Sequence, residues 1–130
     1  MAVTQTKAAA IMQEQSADMT SHAVISLLLA GGLERVSQAK QAISQGKTND
    51  KIILMGKIRA IINGLRNSLN FDDGGEIAVN LSSLYVYMID RIDGASEIEE
   101  FSVVNEVGKL LVEVKEGWDA IDKPEVVKIA

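Results

Sequence analysis

Residues Gly75–Ala95 read GEIAVNLSSLYVYMIDRIDGA, and this stretch decides the fold class. Ile77, Leu81, Leu84, Met88 and Ile92 recur at three- and four-residue spacing, which puts their side chains on one face of an α-helix. Ala78, Tyr85 and Ile89 widen that stripe, and Val79 and Val86 begin a second. A small bundle helix needs only one buried stripe. The surplus predicts either a helix surrounded by neighbours or a groove that takes an apolar partner. Tyr85 and Tyr87 stand about 200° apart around the axis and cannot share a face. The i,i+4 relations Leu81–Tyr85 and Leu84–Met88 put Tyr85 with the core and leave Tyr87 for an outer or inter-helix contact.

The same periodicity runs outward in both directions. Ser21 can cap a helix from His22 to about Gln45, with Ile25, Leu28, Leu29, Gly32, Val36, Ala39 and Ile43 inward and Gly46 as its stop. Gly31 and Gly32 each cost a helix roughly 1 kcal/mol relative to alanine, which predicts close helix approach there. Thr48, or Asp50 if the start is later, caps a second helix to about Leu69, buried along Leu54, Ile58, Ile61, Ile62, Leu65 and Leu69. Its wet face is basic, with Lys51, Lys57, Arg59 and Arg66. The linker NFDDGG at Asn70–Gly75 has turn composition and sets two acids before the third helix, which Gly94 ends. Glu97, Glu99 and Glu100 open a fourth helix whose stripe is Phe101, Val104, Val107, Leu111, Val114 and Trp118. Trp118 lies i+4 from Val114 and i+7 from Leu111, so it should cap the end of the core. Four helices of matched length joined by short turns predict an all-α, antiparallel up-and-down four-helix bundle over residues 21–121. Residues 1–20 form at most a short mobile helical arm, and residues 122–130, with Pro124 as a helix stop, form a tail.

Composition narrows the function. A formal charge of −5 argues against a phosphate-binding surface, so nucleic acid is not expected. No apolar run reaches the roughly 18–20 residues of a membrane span, so no membrane insertion is expected. The chain has no cysteine, and its N-terminus shows no signal-peptide pattern; both point to the cytoplasm. The one imidazole, His22, reads as a solvated first-turn residue with no serine–histidine–acid arrangement around it. There is no Glu-x-x-His motif for a bundle metal site, and the pairs Gly31-Gly32 and Gly74-Gly75 lack a phosphate-loop pattern. The expectation is therefore a binding protein, not an enzyme, with no cofactor and no metal.

Beyond these physical readings, the string Gly75-Glu76-Ile77-Ala78, Asn80-Leu81, Leu84-Tyr85-Val86-Tyr87-Met88 and Arg91 resembles the flagellar export chaperones that protect newly made flagellin. Ser21 through Leu33, then Ile61, Leu65, Ser68 and Leu69, and the late Leu110-Leu111 followed by Trp118 extend the likeness from about Ser21 to Trp118. His22 stands where the family usually has proline, and Leu28-Leu29-Ala30-Gly31 replaces its leucine–tyrosine–aspartate–glycine. The resemblance implies a chaperone for bacterial flagellum biogenesis and type III secretion. Such a protein binds the disordered C-terminal segment of flagellin, prevents its premature polymerisation in the cytoplasm, and is recognised by the export gate when loaded. Partner contact is assigned to Ile62, Leu65, Leu69, Asn80, Leu81, Leu84, Tyr87 and Met88. Asn80 can bond either a neighbouring helix or a partner main chain. Ile11 and Met12 stand in for the family's aromatic residue in the arm and would cover the groove before a client arrives; the competing reading is that the arm is simply a disordered tail. The rival expectation is a structural or self-associating helical bundle with no flagellin client, in which the extra stripe serves a homo-oligomer interface.

Overall fold

The computed structural model describes residues 21–120; Ile11, Met12, the rest of the arm and the tail lie outside the described residues. Helix α1 spans Ser21–Ser44, α2 Thr48–Asn67, α3 Phe71–Gly94 and α4 Glu100–Ala120, and a single 3₁₀ turn, Glu97–Glu99, precedes α4. Among the described residues there is no strand. The protein is an all-α four-helix bundle.

Each reversal has a local cause. Gly46 adopts a φ of 70°, and the bonds Lys47 N–H to Ala42 O (2.9 Å) and Gly46 N–H to Ile43 O (3.2 Å) close a Schellman stop at the end of α1. This overturns the expected Thr48 cap. The reversal is complete at Lys47, which takes the N-cap position without a side-chain bond and leaves Thr48 as the first helical residue. The Asn70–Gly75 linker also differs from expectation. Asn70 caps α3, its Oδ1 accepting from Asp73 N–H at 3.1 Å, so Phe71–Gly74 forms a helical turn instead of a loop. Gly75, at φ 53° and ψ −125°, then breaks the helix and re-aims it, a conformation side chains with a Cβ rarely adopt. At the last reversal Glu99 accepts from both Ser96 N–H (3.0 Å) and Ser96 Oγ–H (2.9 Å), which holds its carboxyl below the usual range.

Antiparallel packing follows from the cross-helix pairs. His22 at the start of α1 meets Trp118 at the end of α4, while Val36 meets Gly108 and Lys40 meets Asn105. Arg59 of α2 grips Asp93 of α3 through two bonds of 2.8 and 2.9 Å. Tyr87 and Arg91 of α3 reach Glu106 of α4. Lys51 and Glu100 join the start of α2 to the start of α4 at 2.8 Å.

The core is filled by Leu29, Val36, Ala39, Ile58, Ile62, Leu65, Tyr85, Met88, Ile89, Val103, Val104, Val107 and Leu111. Two stripes are rotated from expectation. In α3 the buried set is Ala78, Tyr85, Met88 and Ile89, while Ile77 is 66% exposed. The two candidate stripes share Leu81, Met88 and Ile92. Turning the helix toward Tyr85 buries the larger side chain, and Ala78, which packs beneath Gly74, suits the inward position by its size. In α4 the adjacent valines Val103 and Val104 are both buried, so Phe101 turns outward. The glycine expectation holds at Gly32, whose absent side chain faces Ile61 and Leu111 at 3.4 and 3.5 Å, and fails at Gly31, which faces open space. The tightest approach is at Gly108, where a Cβ would stand 2.7 Å from Val36 Cγ1.

His22 is not solvated. It is 7% exposed, stacked on the Trp118 ring and hydrogen-bonded to the Trp118 carbonyl. The ring fills the notch where α1 begins beside the end of α4. Its Nε2 is served by the Trp118 carbonyl, one of those that a helix end leaves without a partner.

Candidate binding surface

The eight residues assigned to partner contact divide into three groups. Ile62, Leu65 and Met88 are at most 1% exposed and belong to the core, so the closed bundle offers none of their surface to a partner. The sequence pattern grouped them with the groove because one helical stripe carries both its core residues and their rim neighbours. Leu69, Leu81 and Leu84 are half-buried, each packed on the core with an edge at the surface. Asn80 and Tyr87 are exposed. The Asn80 side chain makes no hydrogen bond among the described residues, which leaves its amide open to solvent or a partner.

Two residues that the pattern placed elsewhere join this surface. Ile77 and Val79 are 66% and 53% exposed beside Asn80. Ile77, Leu81, Leu84 and Tyr87 now form an outward line along α3, about 15 Å long at 1.5 Å per residue. Helical spacing alone could have supplied this line. Only packing shows that its members are outside the core.

Polar groups fix the lower end of the stripe. Tyr87 O–H donates to Glu106 Oε2 at 2.5 Å, and Arg91 Nε–H donates to Glu106 Oε1 at 2.9 Å. The Tyr87 bond, then the Arg91 bond, hold the Glu106 carboxyl below its usual range, and donating to that carboxylate raises the Tyr87 phenol. Tyr85, by contrast, is pushed up to about 12 by burial alone. This bridge ties α3 to α4 through charge-assisted bonds while leaving one edge of the Tyr87 ring at the surface.

Among the described residues no group of His, Cys, Asp or Glu could hold a metal ion, and no helix is long and apolar enough to cross a membrane. The geometry offers an apolar line edged by an amide and a phenol. It belongs to an all-α four-helix bundle. Comparison with known proteins gives the family: residues 4–125 match the one described as flagellar protein FliS. The flagellar secretion chaperone FliSB of Pseudomonas aeruginosa is 46% identical over 110 residues, 85% of this chain and 87% of that protein. The flagellar secretion chaperone FliS of Salmonella typhimurium is 36% identical over 118 residues, 88% of this chain and 87% of the relative. That of Vibrio cholerae is 34% identical over 110 residues, covering 85% and 81%. The chain belongs to the FliS family of flagellar secretion chaperones.

Proposed function

We propose that this protein is the cytoplasmic export chaperone of a flagellin. It binds the disordered C-terminal segment of its client and prevents premature polymerisation before type III export. The observation that carries this reading is the outward line Ile77, Leu81, Leu84 and Tyr87, with Val79 and Asn80 beside it. A disordered segment loses chain entropy on binding and must recover it from buried apolar area, at roughly 25 cal/mol per Å2. A long line of half-exposed aliphatic side chains supplies such area along its length, and Asn80 supplies a bond for the client's main chain. Ile62, Leu65 and Met88 act beneath it as the packed floor that keeps the line straight. Leu69 extends the surface toward α2, the arm with Ile11 and Met12 covers it before the client arrives, and the export gate reads the loaded complex. Self-association through the same stripe would compete with the client.

Titration calorimetry with a flagellin C-terminal segment tests the proposal. The wild type should bind one to one with a negative heat-capacity change. Leu84→Asp should weaken binding at least about tenfold while the helical circular dichroism spectrum persists. Absence of heat from the wild type at about 50 μM would remove that flagellin as the client.

A further inference from the structure

A second apolar stripe lies outside the core on the other side of α4 from the Glu106 bridge. Phe101 and Val112, each 41% exposed, share a helix face with Asn105 and Gly108. Against this face α1 sets Leu33, Val36 and Lys40, and the two helices enclose an open groove between them. Gly108 shapes its floor. With no Cβ to hold Val36 away, the helices approach closely, and Val36 and Gly108 lie between the apolar walls of Leu33 and Val112.

The rim is basic on both sides. Lys40, on α1, donates to Asn105 Oδ1 at 2.9 Å and stands 5.6 Å from the centre of the Phe101 ring. Lys109, on α4, is exposed and makes no ion pair among the described residues. In a chain with 18 acidic and 13 basic side chains, an apolar floor between two lysines is a local exception to the overall charge. At the far end Lys115 is already neutralised by Asp119 at 2.6 Å.

We propose that this α1–α4 groove is a second docking surface, separate from the α3 stripe, and that it receives an amphipathic helix of a partner protein. The helix would be apolar where it meets Leu33, Val36 and Val112 and acidic along the edges that meet Lys40 and Lys109. A helix fits because it satisfies its own backbone. The walls of the groove are helices whose backbone groups are already paired, so an extended strand would find no ladder there. From Asn105 to Val112 the groove runs about 10 Å, room for two helical turns.

Nuclear magnetic resonance titration of the full chain tests this, using two end-blocked synthetic helical peptides with one leucine stripe, flanked by glutamate in the first and lysine in the second. The glutamate peptide should shift the amides of Leu33, Ser37, Gly108 and Val112 saturably and bind at least about tenfold more tightly than the lysine peptide. Lys109→Glu should remove that preference, and Val112→Asp should weaken both peptides. Both substitutions are at exposed positions, and Lys109→Glu alone decides the matter if Val112→Asp does not fold. Equal binding of the two peptides, or shifts confined to Ile77–Tyr87, would overturn the proposal. So would a flagellin C-terminal segment that shifts the groove residues itself, since the groove would then be part of that site.

Discussion

His22 and Trp118, 96 residues apart in the chain, lie ring on ring, with centroids 4.9 Å apart and planes inclined by 9°. Trp118 Nε1–H donates to the His22 carbonyl at 2.9 Å, and His22 Nε2 donates to the Trp118 carbonyl, so that nitrogen carries a proton. The reciprocal bonds clamp the first turn of α1 to the last turns of α4. Trp118→Ala should cost about 2–4 kcal/mol, below the full range for a buried tryptophan because one edge is exposed. His22→Ala should cost about 1–3 kcal/mol, since it leaves a partly buried carbonyl without its donor. Urea unfolding of both variants and the double mutant should give a coupling of about 1 kcal/mol. Strictly additive losses would mean the two rings do not act together.

Gly108→Ala should destabilise the bundle by about 1–3 kcal/mol, because the new methyl group would meet stiff, branched Val36 at 2.7 Å. Adding Val36→Ala should recover part of that loss. Gly56→Ala is the control: its Cβ faces open space within α2, and the variant should gain about 0.5–1 kcal/mol. Thermal and urea unfolding distinguish the three. A neutral Gly108→Ala would show that α1 and α4 stand further apart.

Ile62→Ala and Leu111→Ala should each lose about 2–5 kcal/mol, as truncation leaves a cavity among fully buried neighbours. Tyr87→Ser should lose far less, because the side chain is 43% exposed and its main tie is to a surface carboxylate. Equal losses by equilibrium unfolding would contradict the division between floor and surface.

Both tyrosines should resist ionisation. Ordinary phenols titrate near 10.0, whereas burial moves Tyr85 to about 12 and the bond to Glu106 raises Tyr87. Absorbance at about 295 nm should show less tyrosinate at pH 10 than two ordinary phenols would give. Glu106→Gln should lower the Tyr87 step and leave that of Tyr85. For Tyr85, whose folded value is raised, the stabilising contribution is whole below pH 10 and disappears as pH rises toward 12. Glu106 works in the opposite direction. Its folded value is depressed, so its contribution is present above the ordinary glutamate value of 4.5 and is lost as pH falls below it.

Four periodic segments, the reversals near Gly46 and Gly94 and the separation of Tyr85 from Tyr87 were legible in the sequence, because helical spacing and glycine backbone freedom are properties of neighbouring residues. The family string in Gly75–Ala95 was legible for the same reason. Tertiary structure alone decided which of two overlapping stripes faced inward. In α3 the choice between Ile77 and Ala78 turned on burying Tyr85, and in α4 paired burial of Val103 and Val104 turned Phe101 outward. It also decided that Ile62, Leu65 and Met88 are floor and that Leu81, Leu84 and Tyr87 reach the surface, a distinction of one helical step that spacing cannot resolve. His22 was misjudged because its partner is 96 residues away. The Gly108–Val36 approach was missed for a related reason: the absence of a side chain acquires meaning only when another helix comes to rest against it.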